Sequence, residues 1–224
     1  MIMIQNELNE KAYGCQIGLL AISNVENPRS SDALDKVKCL LEEEIREKYA
    51  QMDRQELKQI HPMAAYVSYY KKYGYTYHVL QQLESVAHGK KSMSVSGLVD
   101  SMFMAEMKNM ILTAGHDLEK LIEPILLKIA TGEESYICMN GKEANTVPGD
   151  IMITDGEAVI SSILRGPDRR TCIGPETKQV IYTVYAPAGI DEKEILLHLD
   201  DIESYVSVFS PMAETILKQV RSAE

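Results

Sequence analysis

The chain has 224 residues and sets 23 Lys and Arg against 33 Asp and Glu, a formal charge of −10. With 45% hydrophobic residues, that length can bury a core, which excludes a disordered tail. The excess negative charge excludes non-specific binding to nucleic acid or to an acidic membrane surface, so any nucleic-acid contact must be local.

The opening stretch MIMIQNELNEKAYG turns charged within eight residues, and no apolar run reaches the roughly 18 residues of a membrane span. A cytoplasmic protein with no membrane partner is expected. CQIGLLAISNV (15–25) is a near-continuous apolar run closed by ENPRSS, the pattern of a strand buried on both faces. Ser31 then caps a helix whose Leu34, Val37, Leu41 and Ile45 form one stripe.

A second helix is expected from Pro62 to Gly74, with Pro early and Gly late. Its Tyr66, Tyr69, Tyr70 and Tyr73 recur at helical spacing, either as a half-buried packing face or as a row on which bases stack. A short helix over 79–87 and a longer one over 97–113 follow, the latter running into a loop at AGHD. Strands come next: PILLKIA, ESYICMNGKEANTVPGDIMIT, EAVISSILRG and KQVIYTVYAP, with the Asn140-Gly141 and Asp155-Gly156 pairs as hairpin turns. Asp191 starts a terminal helix, and Ser210-Pro211 reads as a second start or a kink. No repeat, low-complexity tract or linker interrupts the chain. It reads as one α+β domain over 1–224, a largely antiparallel mixed sheet flanked by helices. Within it, 1–60 form an N-terminal strand-helix layer, 61–190 the core and 191–224 C-terminal helices.

The motifs of nucleotide, dinucleotide, nucleophile-elbow and zincin chemistry are absent. Cys15, Cys39, Cys138 and Cys172 contain no C-x-x-C pair, and the five histidines are dispersed, so free thiols, no metal and no cofactor are expected. Two groups remain. His116 follows the long helix where a loop would free it to act as a general base, unless Asp117 merely caps the next turn. RGPDRRTCIGPETK (165–178) is locally basic on an acidic protein. Arg165, Arg169, Arg170 and Lys178 there either bind an anion such as phosphate or decorate a solvated turn.

Six stretches in order carry a resemblance: HPMAAYVSYYKKYGY followed by LES, SGLVDSM, AGHDLEKL, ATGEESYICMNGKE, VPGDIMITD, and ISSILRGPDRRTCIGPETKQVIYTVYAP. Over about 62–187 they resemble the B3/B4 editing domain of the phenylalanyl-tRNA synthetase β subunit and the free-standing proteins built on it. IGLLAISNV resembles the N-terminal extension of those free-standing members. The resemblance implies an α+β editing fold that hydrolyses a wrongly esterified amino acid from tRNA. It further implies a pocket lined by Asn140, Gly141, Leu164, Gly166 and Thr183, with His116 as the active-site histidine. Arg165, Arg169, Arg170 and Lys178 would hold the acceptor end of a tRNA that carries the amino acid. Thr183 stands where the synthetase has a glutamate that reads a substrate hydroxyl, so selectivity for tyrosine is not expected. The other reading is a tRNA- or amino-acid-binding module that has lost editing. Which amino acid, which tRNA and which oligomeric state are left open by the sequence.

Overall fold

A computed structural model describes residues 2–222. The chain runs through β1 (Ile4–Asn6) and β2 (Gln16–Ser23) into α1 (Asp32–Tyr49), α2 (Arg54–Leu57), α3 (Met63–Lys72), α4 (His78–Ala87) and α5 (Gly97–Asn109). There follow β3 (Thr113–Asp117), β4 (Ile125–Ile129), β5 (Ser135–Ile137), β6 (Glu143–Asn145), β7 (Ile151–Thr154), β8 (Val159–Ser162), β9 (Gly166–Pro167) and β10 (Val180–Ala186). The described chain ends with α6 (Glu192–Phe209) and β11 (Glu214–Ser222). This is an α+β fold.

The two most apolar strands pair at the centre. β2 and β10 lie antiparallel inside a four-stranded sheet of order β11-β2-β10-β3, with Thr183 opposite Leu19 on one side and Ala114 on the other. All of β10 is buried, because side chains alternate between two covered faces. On one face the Tyr182 hydroxyl donates to the Leu98 carbonyl in α5 at 2.9 Å. The other face carries Thr183 and Tyr185. α6 lies so close to β2 that a Cβ on Gly18 would come 2.5 Å from Ile195 Cγ2; only glycine fits at this crossing. A second sheet has the order β1-β4-β7-β8-β9, antiparallel except for β1 with β4, and β5 and β6 form a separate ribbon.

Local signals placed the helix starts. The Ser31 hydroxyl accepts the Leu34 N–H, and Asp191 forms a reciprocal capping box with Glu194. Two segments depart from expectation. α5 stops at Asn109, where Met110 takes a left-handed conformation (φ 58°), and the stretch expected as a loop is the edge strand β3. The C-terminus is not wholly helical: beyond Ser210 the chain turns back as the nine-residue, partly exposed strand β11, eight residues of which pair with β2 while Ile216 forms a bulge. Tertiary pairing along β2 selects the strand there, and residues 223–224 of the expected helix lie outside the described residues. The N-terminal strand is equally integral, since β2 lies between β10 and β11.

Candidate functional site

A cavity of about 470 Å³ opens beside the β3 edge, between α5 and the turn that follows β8. Val99, Met102 and Phe103 of α5, Leu112 and Ala114 around β3, and Ile163 and Leu164 after β8 make its walls mostly apolar. Met93, Val95 and Met139 form part of the lining, although each is more than half exposed. Met93 and Val95 belong to a strap, residues 89–96, that two buried carboxylates tie down. Glu42 accepts the Ser92 N–H and hydroxyl at 2.8 and 2.6 Å. Asp100 accepts Ser94 Oγ at 2.8 Å, the Val95 N–H at 2.7 Å and Lys38 Nζ at 2.9 Å, and Lys38 also donates to the Met93 carbonyl.

The turn after β8 is clamped from below by the tyrosine row. Tyr70 donates to the Ile163 carbonyl at 2.7 Å, Tyr66 to the Tyr185 carbonyl at 2.5 Å, and Tyr73 to the Gly149 carbonyl at 2.6 Å. Tyr69 donates to Asp150, whose other oxygen accepts the Leu164 N–H at 3.0 Å. Burial pushes the Asp150 carboxyl up to about 6. The row is thus a packing face whose hydroxyls fix backbone; it offers no platform for bases. Gly166 closes the turn at φ +77°, a conformation that other residues rarely adopt, and its carbonyl accepts the Tyr136 hydroxyl at 2.7 Å.

Polar groups in the lining are few. Glu106 of α5 is 1% exposed; its Oε1 accepts the Thr113 N–H at 2.8 Å, while its buried Oε2 has no partner. Burial pushes this carboxyl up to about 8, against the pull of the Thr113 N–H, so it is an uncharged acid at pH 7. Behind it, Thr113 Oγ1 meets His198 Nε2 at 2.6 Å, and burial holds His198 down to about 3. On the β10 side, the Tyr185 hydroxyl meets Ser161 Oγ, which in turn lies 3.2 Å from His116 Nε2. His116 Nδ1 continues the chain to Thr171 Oγ1 at 2.7 Å, and Thr171 reaches Asp168.

The structure divides the residues singled out from sequence. Leu164, Arg165 and Gly166 line the cavity. Asn140 and Gly141 form the β5–β6 turn beside it, where Asn140 Oδ1 accepts the Lys142 N–H, but they are not in the lining. Thr183 is fully buried two residues from the lining residue Tyr185, on the same strand face, with its hydroxyl toward the Ala114 carbonyl at 3.4 Å. His116 stands in a strand, has no exposed surface, uses both ring nitrogens and is outside the lining; desolvation holds it down to about 3. The expected loop position is therefore corrected. Asp117 does cap the following turn, accepting the Glu119 N–H at 3.1 Å.

The arginines divide too. Arg165 is exposed over the Tyr75 ring at 5.3 Å and donates to the Asn145 carbonyl. Arg169 is exposed, its guanidinium next to Gly141. Arg170 instead pairs with the buried Asp155 at 2.7 Å and donates to the Lys120 carbonyl, which makes it a structural tie. Lys178 is exposed two residues ahead of β10 and does not line the cavity. Glu106 and His78, both in the lining, were not singled out from sequence. The available signal for Glu106 was an acid within the Met-rich stretch MFMAEM. Among the described residues, no three or more His, Cys, Asp or Glu side chains gather as metal ligands, and no helix is long and apolar enough to cross a membrane.

An α+β chain with a mostly apolar cavity of about 470 Å³ beneath a clamped turn is what these observations define. Comparison with curated proteins returns the phenylalanine–tRNA ligase β subunit of Mycoplasma genitalium, 29% identical over 69 residues, which cover 31% of this chain and 9% of that protein. The match thus spans less than a tenth of the relative, and it is to the same synthetase subunit that the sequence resembles. Among solved structures, an N-terminal fragment of the phenylalanyl-tRNA synthetase β subunit from Pyrococcus horikoshii aligns with 100% of this chain and 52% of that one, at 12% identity and a TM-score of 0.49. No protein-family profile matches the chain.

Proposed function

We propose that this protein binds the aminoacylated end of a tRNA, takes the amino-acid side chain into the cavity, and hydrolyses the ester of a wrongly charged amino acid in trans. The observation that carries this reading is the apolar cavity with Arg165 in its lining and Arg169 beside the neighbouring hairpin. Planar guanidinium groups suit phosphates, and such contacts position a nucleic acid without reading its sequence. An ester requires a positioned water and donors for the developing oxyanion, with no need for a metal or a strong nucleophile. Ser162 lines the cavity, where its Oγ accepts the Arg165 N–H and its hydroxyl is engaged with the Asp150 carboxyl beneath the turn, so it holds the turn in place. His78 also lines the cavity; desolvation lowers its pKa, so its neutral ring can accept a proton from water at pH 7. His116 serves this reading as a buried support of Ser161 and Tyr185, not as the base.

A binding module without turnover is the second reading. It is favoured by the sealed positions of His116 and Thr183, where the resemblance implies the active-site histidine and the substrate reader. A panel of mischarged tRNAs separates the two. Hydrolysis of at least one member, reduced roughly 10²-fold or more in His78→Ala, is the expected result; binding without hydrolysis selects the module. Arg165→Ala and Arg169→Ala should each lower the salt slope of tRNA binding by about 0.7–0.9, while Lys178→Ala leaves it unchanged. A slope indifferent to both arginines would remove tRNA from the reading.

A further inference from the structure

We propose that Glu106 reads the ligand: the cavity takes an uncharged side chain with an apolar body and one oxygen able to accept a hydrogen bond from this carboxyl group. The inference rests on the reading of the cavity as an amino-acid site and deepens it by naming the class of side chain.

Buried polar atoms in folded proteins are nearly always paired, and an unpaired one calls for an explanation. Glu106 Oε2 is such an atom, on a residue that lines the cavity, while Oε1 is already satisfied by the Thr113 N–H. The surroundings keep the acid uncharged from every side. Tyr66 and Tyr70 of α3, with Tyr77 ahead of α4, surround it, and burial holds all three phenols protonated. His198 of α6 stands behind Thr113 as a neutral ring, and desolvation lowers His78 of α4 in the same lining. Lys38 of α1 is taken up by Asp100, and Lys108 at the end of α5 by Asp201. An uncharged carboxyl whose other oxygen is satisfied has one strong donor to offer, so the complementary ligand atom is a neutral acceptor. A cationic side chain would pass Arg165 and meet no anion.

The test uses side-chain pairs that differ in one polar group: the amides of norleucine and its ether isostere O-methylhomoserine, of phenylalanine and tyrosine, and of lysine. Affinities are measured for the parent, Glu106→Gln and Glu106→Leu. One hydrogen bond to a buried donor otherwise left unpaired corresponds to about a tenfold preference for the oxygen-bearing member. That preference is expected in the parent and in Glu106→Gln, which keeps a neutral donor, and is expected to vanish in Glu106→Leu; for the tyrosine amide it departs from the expectation drawn from Thr183, because the donor is Glu106 on α5. The ether preference should also fall in the parent as pH rises through about 8 and persist in Glu106→Gln, a readout that survives even if the Leu variant fails to fold. Equal affinity within both pairs, or a preference for the lysine amide that Glu106→Gln abolishes, would overturn the inference and leave the cavity as an amino-acid site. Binding of none of the amides would overturn both. Selective binding by a protein that ignores tRNA would keep the role of Glu106 and remove the nucleic acid.

Discussion

Helix α5 carries two buried acids six residues apart, on different sides of the helix, and they have opposite surroundings. Asp100 is 3% exposed and accepts hydrogen bonds from Lys38, Ser94 and the Val95 N–H. Glu106 is 1% exposed, meets one backbone N–H and has an oxygen left over beside a cavity. A carboxylate that serves structure is saturated by the chain itself, because an unpaired buried charge costs more than most other defects. A carboxyl left short of partners escapes that cost by staying protonated, and in doing so remains available to something from outside.

The largest expected effect comes from breaking the saturated side. Asp100→Ala should lower unfolding free energy by about 3–5 kcal/mol in denaturant melts, since Lys38 would be left buried without its counter-ion. If the loss is under about 1 kcal/mol, the strap is not held as described.

The unsaturated side should respond with the opposite sign. Glu106 has a folded-state pKa near 8, above its ordinary 4.5, so its contribution to stability is fullest below about pH 4.5 and declines as pH rises toward 8. Glu106→Gln cannot ionise and should gain on the parent across that window, by something on the order of 3 kcal/mol at pH 8. Melting temperatures of the two proteins from pH 4 to 9 check this; parallel curves would show that Glu106 is not held protonated.

His116 resembles Asp100 in being saturated. Its replacement by Ala should cost about 2 kcal/mol, because it leaves Thr171 and Ser161 short of a partner and opens a void. A variant as stable as the parent would put His116 back among candidates for direct chemistry. The smallest change, Ser94→Ala, deletes one of the three bonds on Asp100 and should cost about 1 kcal/mol by the same melts.

Much of the framework was legible because it depends on near neighbours. The Ser31 and Asp191 caps, the doubly buried run that became β2, the strand that became β10, and the Asn140-Gly141 turn are written in spacing and turn chemistry over a few residues. β3 was not legible, since Thr-Ala-Gly-His-Asp neither alternates nor favours a strand, and becomes one by pairing with β10. β11 likewise depends on β2, a partner about 200 residues distant in the chain.

The cavity divides along the same line. By itself the sequence determined an α+β chain with a basic turn at 165–170, and its motifs point to the synthetase subunit that the curated comparison also returns. Only the tertiary structure decided which member of each residue type is free to act. Arg165 and Arg169 reach solvent while Arg170 is tied to Asp155; His78 enters the lining while His116 is sealed; Asp100 is saturated while Glu106 is not. Charge, burial and hydrogen bonding at a side chain are set by residues brought next to it from elsewhere in the chain, so the same residue type, equally visible in the sequence, acquires different chemistry only once the fold has chosen its neighbours.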